Sequence, residues 1–116
     1  MRPMGMQPRP GTGTLSYLDA GGEQTVFEAT IARPIVIWGV FLDLNALTQN
    51  GTVKVYHKID GSNYREIDSY AVAAGDTNLY IDTIFALNYD FKVTYTEAVD
   101  EGAARDIPYS YVEGSI

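Results

Sequence analysis

The sequence contains no cysteine and a single histidine among its 116 residues. Without cysteine, thiol catalysis, disulfide bonds and cysteine-ligated zinc or iron–sulfur centres are excluded. One histidine cannot build a multi-histidine metal site within one chain. Basic residues are also scarce, because 8 lysines and arginines stand against 15 acidic residues, for a net charge of −7. Phosphate contacts need clustered basic side chains, so the sequence predicts no nucleic-acid partner.

Long apolar runs are missing as well. The most apolar stretch is confined to residues 35–42, whereas a membrane-spanning helix needs about 20 residues. The N-terminus carries no apolar segment of the kind found in signal peptides. We therefore expect no membrane partner. Hydrophobic residues still make up 46% of the chain, which is typical of one globular domain.

Residues able to perform chemistry do not form a recognisable constellation. His57 has no accompanying G-x-S-x-G elbow, so we expect it to be a packed side chain or one at the rim of the core. Glu66 and Asp68 are two apart, which places both on one face of a predicted strand, as a pair of glycosidase carboxylates would require. With the turn at residues 60–63 they also offer oxygen ligands for calcium, but without EF-hand spacing. The sequence predicts no enzyme, catalytic residue, cofactor or metal site.

Residues 1–14 differ from the rest of the chain. They contain three of the five prolines and three glycines, and their charged residues are Arg2 and Arg9. Such a segment cannot form a helix or a central strand, so we assign residues 1–14 to an extended arm and residues 15–116 to the folded domain. The arm is either a frayed terminus or a segment that orders on a partner subunit. Its positive charge favours an acidic neighbour, which includes another copy of the chain.

The remainder of the chain has the alternating pattern of β-strands, with no window of helical spacing. Residues 35–44 are apolar on both faces, which indicates a central strand. Strands are predicted at residues 24–31, 35–44, 52–59, 64–70, 78–85, 89–97 and 107–112. We therefore predict an all-β fold, an antiparallel β-sandwich or jelly roll of seven or eight strands with an extended N-terminal arm.

Turn residues separate these strands. Asn50-Gly51 is a hairpin signal, and residues 60–63 and 74–76 are turns of the kind that Asp, Asn and Gly favour. Pro108 lacks a backbone N–H, so it marks the last strand as an edge or marks the start of that strand.

Nine tyrosines are the most unusual feature of the composition. β-Propensity accounts for many of them, and an interface is the other interpretation, because tyrosine buries a large area and tolerates a wet rim. Tyr109 and Tyr111 share one face of the last strand. A carbohydrate-binding module is the alternative function, and it would require exposed coplanar rings, with Tyr56, Tyr64 and Tyr70 as candidates.

Three segments carry a resemblance to a known group of proteins. Residues 53–68, 90–95 and 104–111 resemble small β-sandwich proteins from the structural gene modules of tailed phages and archaeal viruses. The resemblance covers roughly residues 50–112 and is a pattern of hairpin and edge strands. It implies a virion component such as a capsid decoration or cement protein. Proteins of this group often form trimers and bind the capsid lattice through an N-terminal arm.

The arm and the resemblance together predict a non-enzymatic virion protein, assembled in the host cytoplasm, that stabilises a coat lattice by protein–protein contacts. Expected partners are the major capsid protein or other virion subunits, and further copies in a homo-oligomer such as a trimer. A tail or head–tail connector role is a second virion alternative. The predicted partner-binding residues are Arg2, Pro8, Arg9 and Pro10 of the arm, then Tyr17, Leu18, Tyr109 and Tyr111.

Overall fold

The computed structural model describes residues 9–18 and 22–115. All regular secondary structure in these residues is β-strand, so the predicted all-β fold is confirmed. None of them lies in a helix long and apolar enough to cross a membrane. The strands are β1 (Arg9–Tyr17), β2 (Gln24–Ala29), β3 (Ile35–Asp43), β4 (Gly51–His57), β5 (Arg65–Val72), β6 (Asn78–Ile81), β7 (Phe85–Leu87), β8 (Phe91–Glu97) and β9 (Arg105–Ser115).

The strands form two antiparallel sheets. The β1 sheet has the order β1-β9-β3-β6, with β7 also paired to β3, and the β2 sheet has the order β2-β8-β4-β5. Because the chain passes repeatedly between the two sheets, the arrangement is a jelly roll. The core lies between the sheets and contains residues of less than 2% exposure from both, including Ile37, Leu42, Val53, Val55, Phe91, Val93 and Tyr95.

β-Bulges interrupt the alternation that the sequence predicts. The register shifts between Thr25 and Phe27 in β2, and Val26 and Phe27 are both buried. A second shift lies between Ile37 and Gly39 in β3. Each extra residue reverses which side chains face the core beyond it. Simple period-two counting therefore assigns the wrong face to residues that follow a bulge.

Pro108 does not mark an edge strand, because β9 lies between β1 and β3. The last residue of β9 that pairs with β3 is Tyr109, which lies opposite Leu42. Pro108, the neighbouring residue, has no partner in β3, so no β3 carbonyl needs a hydrogen bond from its nitrogen. A proline is tolerated in this central strand because its missing N–H falls beyond the shared ladder.

Two other local predictions differ from the structure. Asn50-Gly51 does not form a hairpin, because it lies in the loop that joins β3 of one sheet to β4 of the other. The predicted strand at residues 78–85 divides into β6 and β7, which makes nine strands instead of seven or eight.

The structure places Arg9 to Thr14, the later part of the predicted arm, in β1. This strand pairs along β9 without interruption, from Arg9 opposite Glu113 to Tyr17 opposite Arg105. Residues 1–8 lie outside the described residues.

Candidate interaction surface

The outer face of the β1 sheet carries a row of side chains that runs across four of its five strands. Tyr80 of β6 lies opposite Phe41 of β3, which lies opposite Ser110 of β9, which lies opposite Thr12 of β1. The Tyr80 ring is 70% exposed and contacts Phe41 edge-on, with centroids 5.2 Å apart. Beside this pair is a shallow groove of about 240 Å³, also lined by Asn78 and Pro108.

Charged residues are scarce on this outer face. Two carboxylates, Asp43 and Asp106, lie at one end of it, because these residues come at the end of β3 and near the start of β9. The other side chains that point outward from this face are mostly uncharged. We call these residues the neutral face: Pro10, Thr12, Thr14, Ser16, Phe41, Tyr80, Pro108, Ser110 and Val112.

Tyr109 and Tyr111, two of the predicted partner-binding residues, lie on the inner side of the same sheet. Both rings stack on Phe27 of the β2 sheet, with centroid distances of 5.0 Å and 4.6 Å. They also cover two glycines of β1. A Cβ atom at Gly11 would lie 2.1 Å from the Tyr111 ring, and one at Gly13 would lie 2.4 Å from the Tyr109 hydroxyl oxygen. These tyrosines pack the two sheets together.

The other predicted partner-binding residues divide into buried and exposed groups. Tyr17 is fully buried, and its hydroxyl donates a hydrogen bond of 2.6 Å to the Gly22 carbonyl, so it belongs to the core. Leu18 is 61% exposed. Pro10 is exposed at the start of β1, and Arg9 forms an ion pair of 3.6 Å with Glu113 while remaining largely exposed. Arg2 and Pro8 lie outside the described residues.

The outer face of the β2 sheet is rich in charge. Lys92 Nζ lies 5.1 Å and 4.5 Å from the ring centroids of Tyr56 and Tyr64. The Tyr56 hydroxyl donates to Glu23, and that of Tyr64 donates to Glu28. Burial together with the Glu23 carboxylate raises the pKa of Tyr56 to about 12. The polar groups of this cluster are therefore already engaged with one another.

The three candidate carbohydrate-binding tyrosines do not form a coplanar platform. Tyr56 and Tyr64 are in contact, but their rings are inclined at 73°. Tyr70 pairs with Val53, whose side chain is buried, so it lies on the inner side of the sheet. A shift in the β4–β5 register between Val55 and Tyr56 causes this separation.

The same register shift separates the two carboxylates that the sequence places on one face. Asp68 lies opposite Val55 and Glu66 lies opposite Tyr56, so their side chains point to opposite sides of the sheet. His57 Nε2 is buried, with no hydrogen-bond partner among the residues described. Within residues 9–18 and 22–115, no group of three or more metal-binding side chains comes together.

Phe41 and Tyr80 are the surface residues that sequence reasoning overlooked. A signal for Tyr80 was present, because it alternates with Leu79 and the buried Ile81 and so must point outward. Phe41 gave no such signal, because its strand is apolar on both faces.

Comparisons with known proteins identify the fold. No family model and no curated protein matches the sequence. A structure of Bacillus endospore appendages, a family of disulfide-linked pili, is similar with a TM-score of 0.61 and 14% identity, over 95% of this chain and 88% of that one. A chain of the cyanophage Pam1 capsid asymmetric unit also has a TM-score of 0.61 and 14% identity, over 100% and 90%.

The Yersinia pseudotuberculosis-derived mitogen has a TM-score of 0.51 and 14% identity, over 95% of this chain and 87% of the mitogen. At such low identity these likenesses establish a common fold, and the same fold evidently serves a pilus, a capsid and a mitogen. The resemblance to small β-sandwich virion proteins is confirmed at this level.

Proposed function

We propose that the chain is a non-enzymatic virion structural protein that decorates or cements a capsid by binding its coat lattice. The fold it has in common with a chain of the Pam1 capsid structure supports a place in a virion. The observation that carries the proposal is the neutral face, where the 70% exposed Tyr80 lies against the half-buried Phe41 on a protein whose net charge is −7. Few charges together with aromatic side chains are typical of the core of a protein–protein interface.

Attachment would be centred on Tyr80. Tyrosine is frequent among the residues that dominate binding energy, and its contact with Phe41 holds the ring ready for burial. Arg2 and Arg9 would add contacts with acidic groups of a neighbouring coat subunit. Several copies bound together in a homo-oligomer would strengthen a weak single contact through effective concentration.

The test is binding of purified chain to coat particles that lack it. Tyr80→Ala is expected to weaken binding at least about tenfold, because it removes the exposed anchor of the neutral face. Tyr89→Ala is the matched control, since Tyr89 is also an exposed tyrosine, 45% accessible, outside that face. Equal binding by the Tyr80→Ala variant and the unchanged chain would contradict the proposal. Binding to isolated tails instead of coat particles would favour the connector or tail alternative.

Salt separates the contribution of the neutral face from that of the basic N-terminal residues. Contacts made by Arg2 weaken as ionic strength rises, whereas apolar contacts do not. The deletion that tests the arm should remove residues 1–8 only, because Arg9 to Thr14 pair with β9. We expect this shortened chain to retain the salt-independent part of binding.

A further inference from the structure

Three of the four sheet edges are protected against pairing with another chain. The β6 edge has only four residues and is followed by Asp82. The β2 edge is bulged and carries the exposed Glu28. The β5 edge is bulged at Ile67 and carries charged side chains, including Glu66. Short edges, bulges and charges are the devices by which natural proteins prevent edge-to-edge association.

The β1 edge is neither short nor bulged, and its protective residues, the charged Arg9 and the proline Pro10, are confined to one end. It is nine residues long, and its register with β9 is unbroken. No charged residue occurs from Pro10 to Leu18. A long, regular and uncharged edge is a ready template for an added strand.

The two prolines indicate which backbone groups of β1 face the open edge. Antiparallel pairs alternate between hydrogen-bonded and non-bonded residues, and proline cannot donate in a bonded pair. Pro10 lies opposite Val112 and Pro108 lies opposite Thr14, so both prolines occupy the same phase of the β1–β9 ladder. This phase is therefore the non-bonded one. The N–H groups of Thr12, Thr14 and Ser16 point away from β9.

We infer that the β1 edges of two copies of this chain pair antiparallel about a two-fold axis. The described edges offer one long uncharged partner for β1, which is β1 itself. Antiparallel pairing sets residues 10–16 of the two copies, all uncharged, opposite one another, so no like charges are brought together within the paired strands. A two-fold contact also closes, leaving no open edge for fibre growth.

Full overlap of the two strands places Gly13 on the axis. Thr12 then lies opposite Thr14 of the partner copy, and Ser16 lies opposite Pro10 of the partner copy. Every outward amide finds a carbonyl acceptor, and each copy lacks one donor, the missing N–H of its Pro10. The two β1 sheets become one continuous sheet, whose outer side joins both neutral faces. This pairing deepens the proposed function, because it doubles the area of the binding surface. The pairing itself forms between copies of the chain and can be measured without a capsid.

Sedimentation equilibrium of the purified chain between micromolar and millimolar concentration tests the pairing. We expect a mass twice that of one chain at high concentration. Thr14→Pro removes an outward N–H without touching the β9 ladder and should raise the dimer Kd about 30-fold, since the dimer loses one main-chain hydrogen bond from each copy. Thr14→Lys should weaken pairing through like-charge repulsion and serves if the proline variant does not fold. Thr25→Lys, the same change at the β2 edge, should leave the Kd unchanged.

Amide hydrogen exchange gives an independent measurement on the unmodified chain. Protection of Thr12, Thr14 and Ser16 should increase with protein concentration, while Gly11, Gly13 and Leu15, which bond to β9, should be protected throughout. A monomer at millimolar concentration, a trimer, or exchange independent of concentration would overturn the inference. No coat particle is present in either experiment, so a negative result here would contradict the pairing alone. The proposed capsid attachment is tested separately, by binding of the chain to coat particles.

Discussion

Glycines paired with aromatic rings recur in the strands of this protein. In each pair the ring occupies the space that a Cβ atom would need, so the ring covers backbone that glycine leaves bare. Such a contact partly offsets the entropic cost of glycine in a strand. The pairs are Gly11 with Tyr111, Gly13 with Tyr109, Gly39 with Phe41, and Gly51 with Tyr95.

Gly11→Ala tests the importance of this packing. The new methyl group would lie 2.1 Å from the Tyr111 ring, and the stack on Phe27 prevents that ring from moving freely. We expect a loss of about 2 kcal/mol in the free energy of unfolding, as is typical of overpacking. Urea denaturation measures it. Thr12→Ala, one residue away and exposed, should change stability by less than about 0.5 kcal/mol, and equal effects of the two changes would refute the steric explanation.

At the residue level, the sequence predicted turn chemistry well and side-chain direction less well. Asp60 accepts backbone hydrogen bonds from Ser62 and Asn63, as its place in the turn predicts. The faces of Glu66 and Tyr70 were wrong because a bulge has no signal in a single sequence. Its position depends on how two strands align after folding.

Between strands, the loops at one end of the sandwich are joined by a buried carboxylate. The Glu101 side chain is fully buried and accepts hydrogen bonds from the Thr48 N–H and hydroxyl and from the Gln49 N–H. Arg105 supplies the counter-charge, with Nε 3.4 Å from Oε1. Glu101 thus fastens the β3–β4 loop to the β8–β9 loop.

Glu101→Ala should destabilise the protein by about 3 kcal/mol, because it leaves two backbone N–H groups and the Thr48 hydroxyl without their acceptor and Arg105 without its counter-charge. Thermal and urea unfolding measure the loss. Asp100→Ala removes a neighbouring exposed carboxylate and should have little effect. A change of under about 1 kcal/mol for Glu101→Ala would show that water replaces the lost contacts.

The wrong hairpin at Asn50-Gly51 has a similar explanation. The Asn50 side-chain oxygen accepts the Ala74 N–H at 2.6 Å, and its backbone carbonyl accepts the Ala98 N–H at 2.8 Å. This residue therefore holds three loops together instead of making a two-residue turn. Local sequence carries the turn preference of Asn-Gly, but it carries no information about loops distant in the chain.

Across the whole molecule, several carboxyl groups are ionised more readily than usual. Backbone N–H groups of Asn63 and Ser62 lower the pKa of Asp60 from 3.8 to about 2. The Ile31 N–H lowers the pKa of Asp90. For Glu23 burial opposes ionisation, but hydrogen bonds from Thr94 and Tyr56 leave its pKa lowered. These groups stabilise the folded state at pH values above their unfolded pKa.

Stability should therefore fall as pH drops from about 4 towards 2, because protons bind the unfolded chain first. Melting temperature measured by circular dichroism from pH 7 to pH 2 tests this expectation. Asp60→Asn preserves the oxygen acceptor of the turn but cannot titrate, so this variant should lose less stability over the same interval. A melting temperature that holds steady down to pH 2 would be inconsistent with the lowered pKa values.

The fold class was predictable because alternating patterns and turn residues recur throughout the chain. The order of the strands was not, because β9 inserts between β1 and β3 through contacts that span most of the sequence. The neutral face was likewise hidden, since it combines outward residues of β1, β3, β6 and β9.

The central position of β9 also determines when the β1 sheet can finish folding during synthesis. β1 and β3 are joined only through β9. On the ribosome, a nascent chain that has not yet exposed β9 therefore cannot pair β1 with the rest of its sheet. Phe27 also lacks its stacking partners Tyr109 and Tyr111 until then. The first strand to emerge is thus among the last to find its place. Completion of the sandwich therefore waits until β9 has emerged, and until then the chain exposes apolar surface to which chaperones can bind.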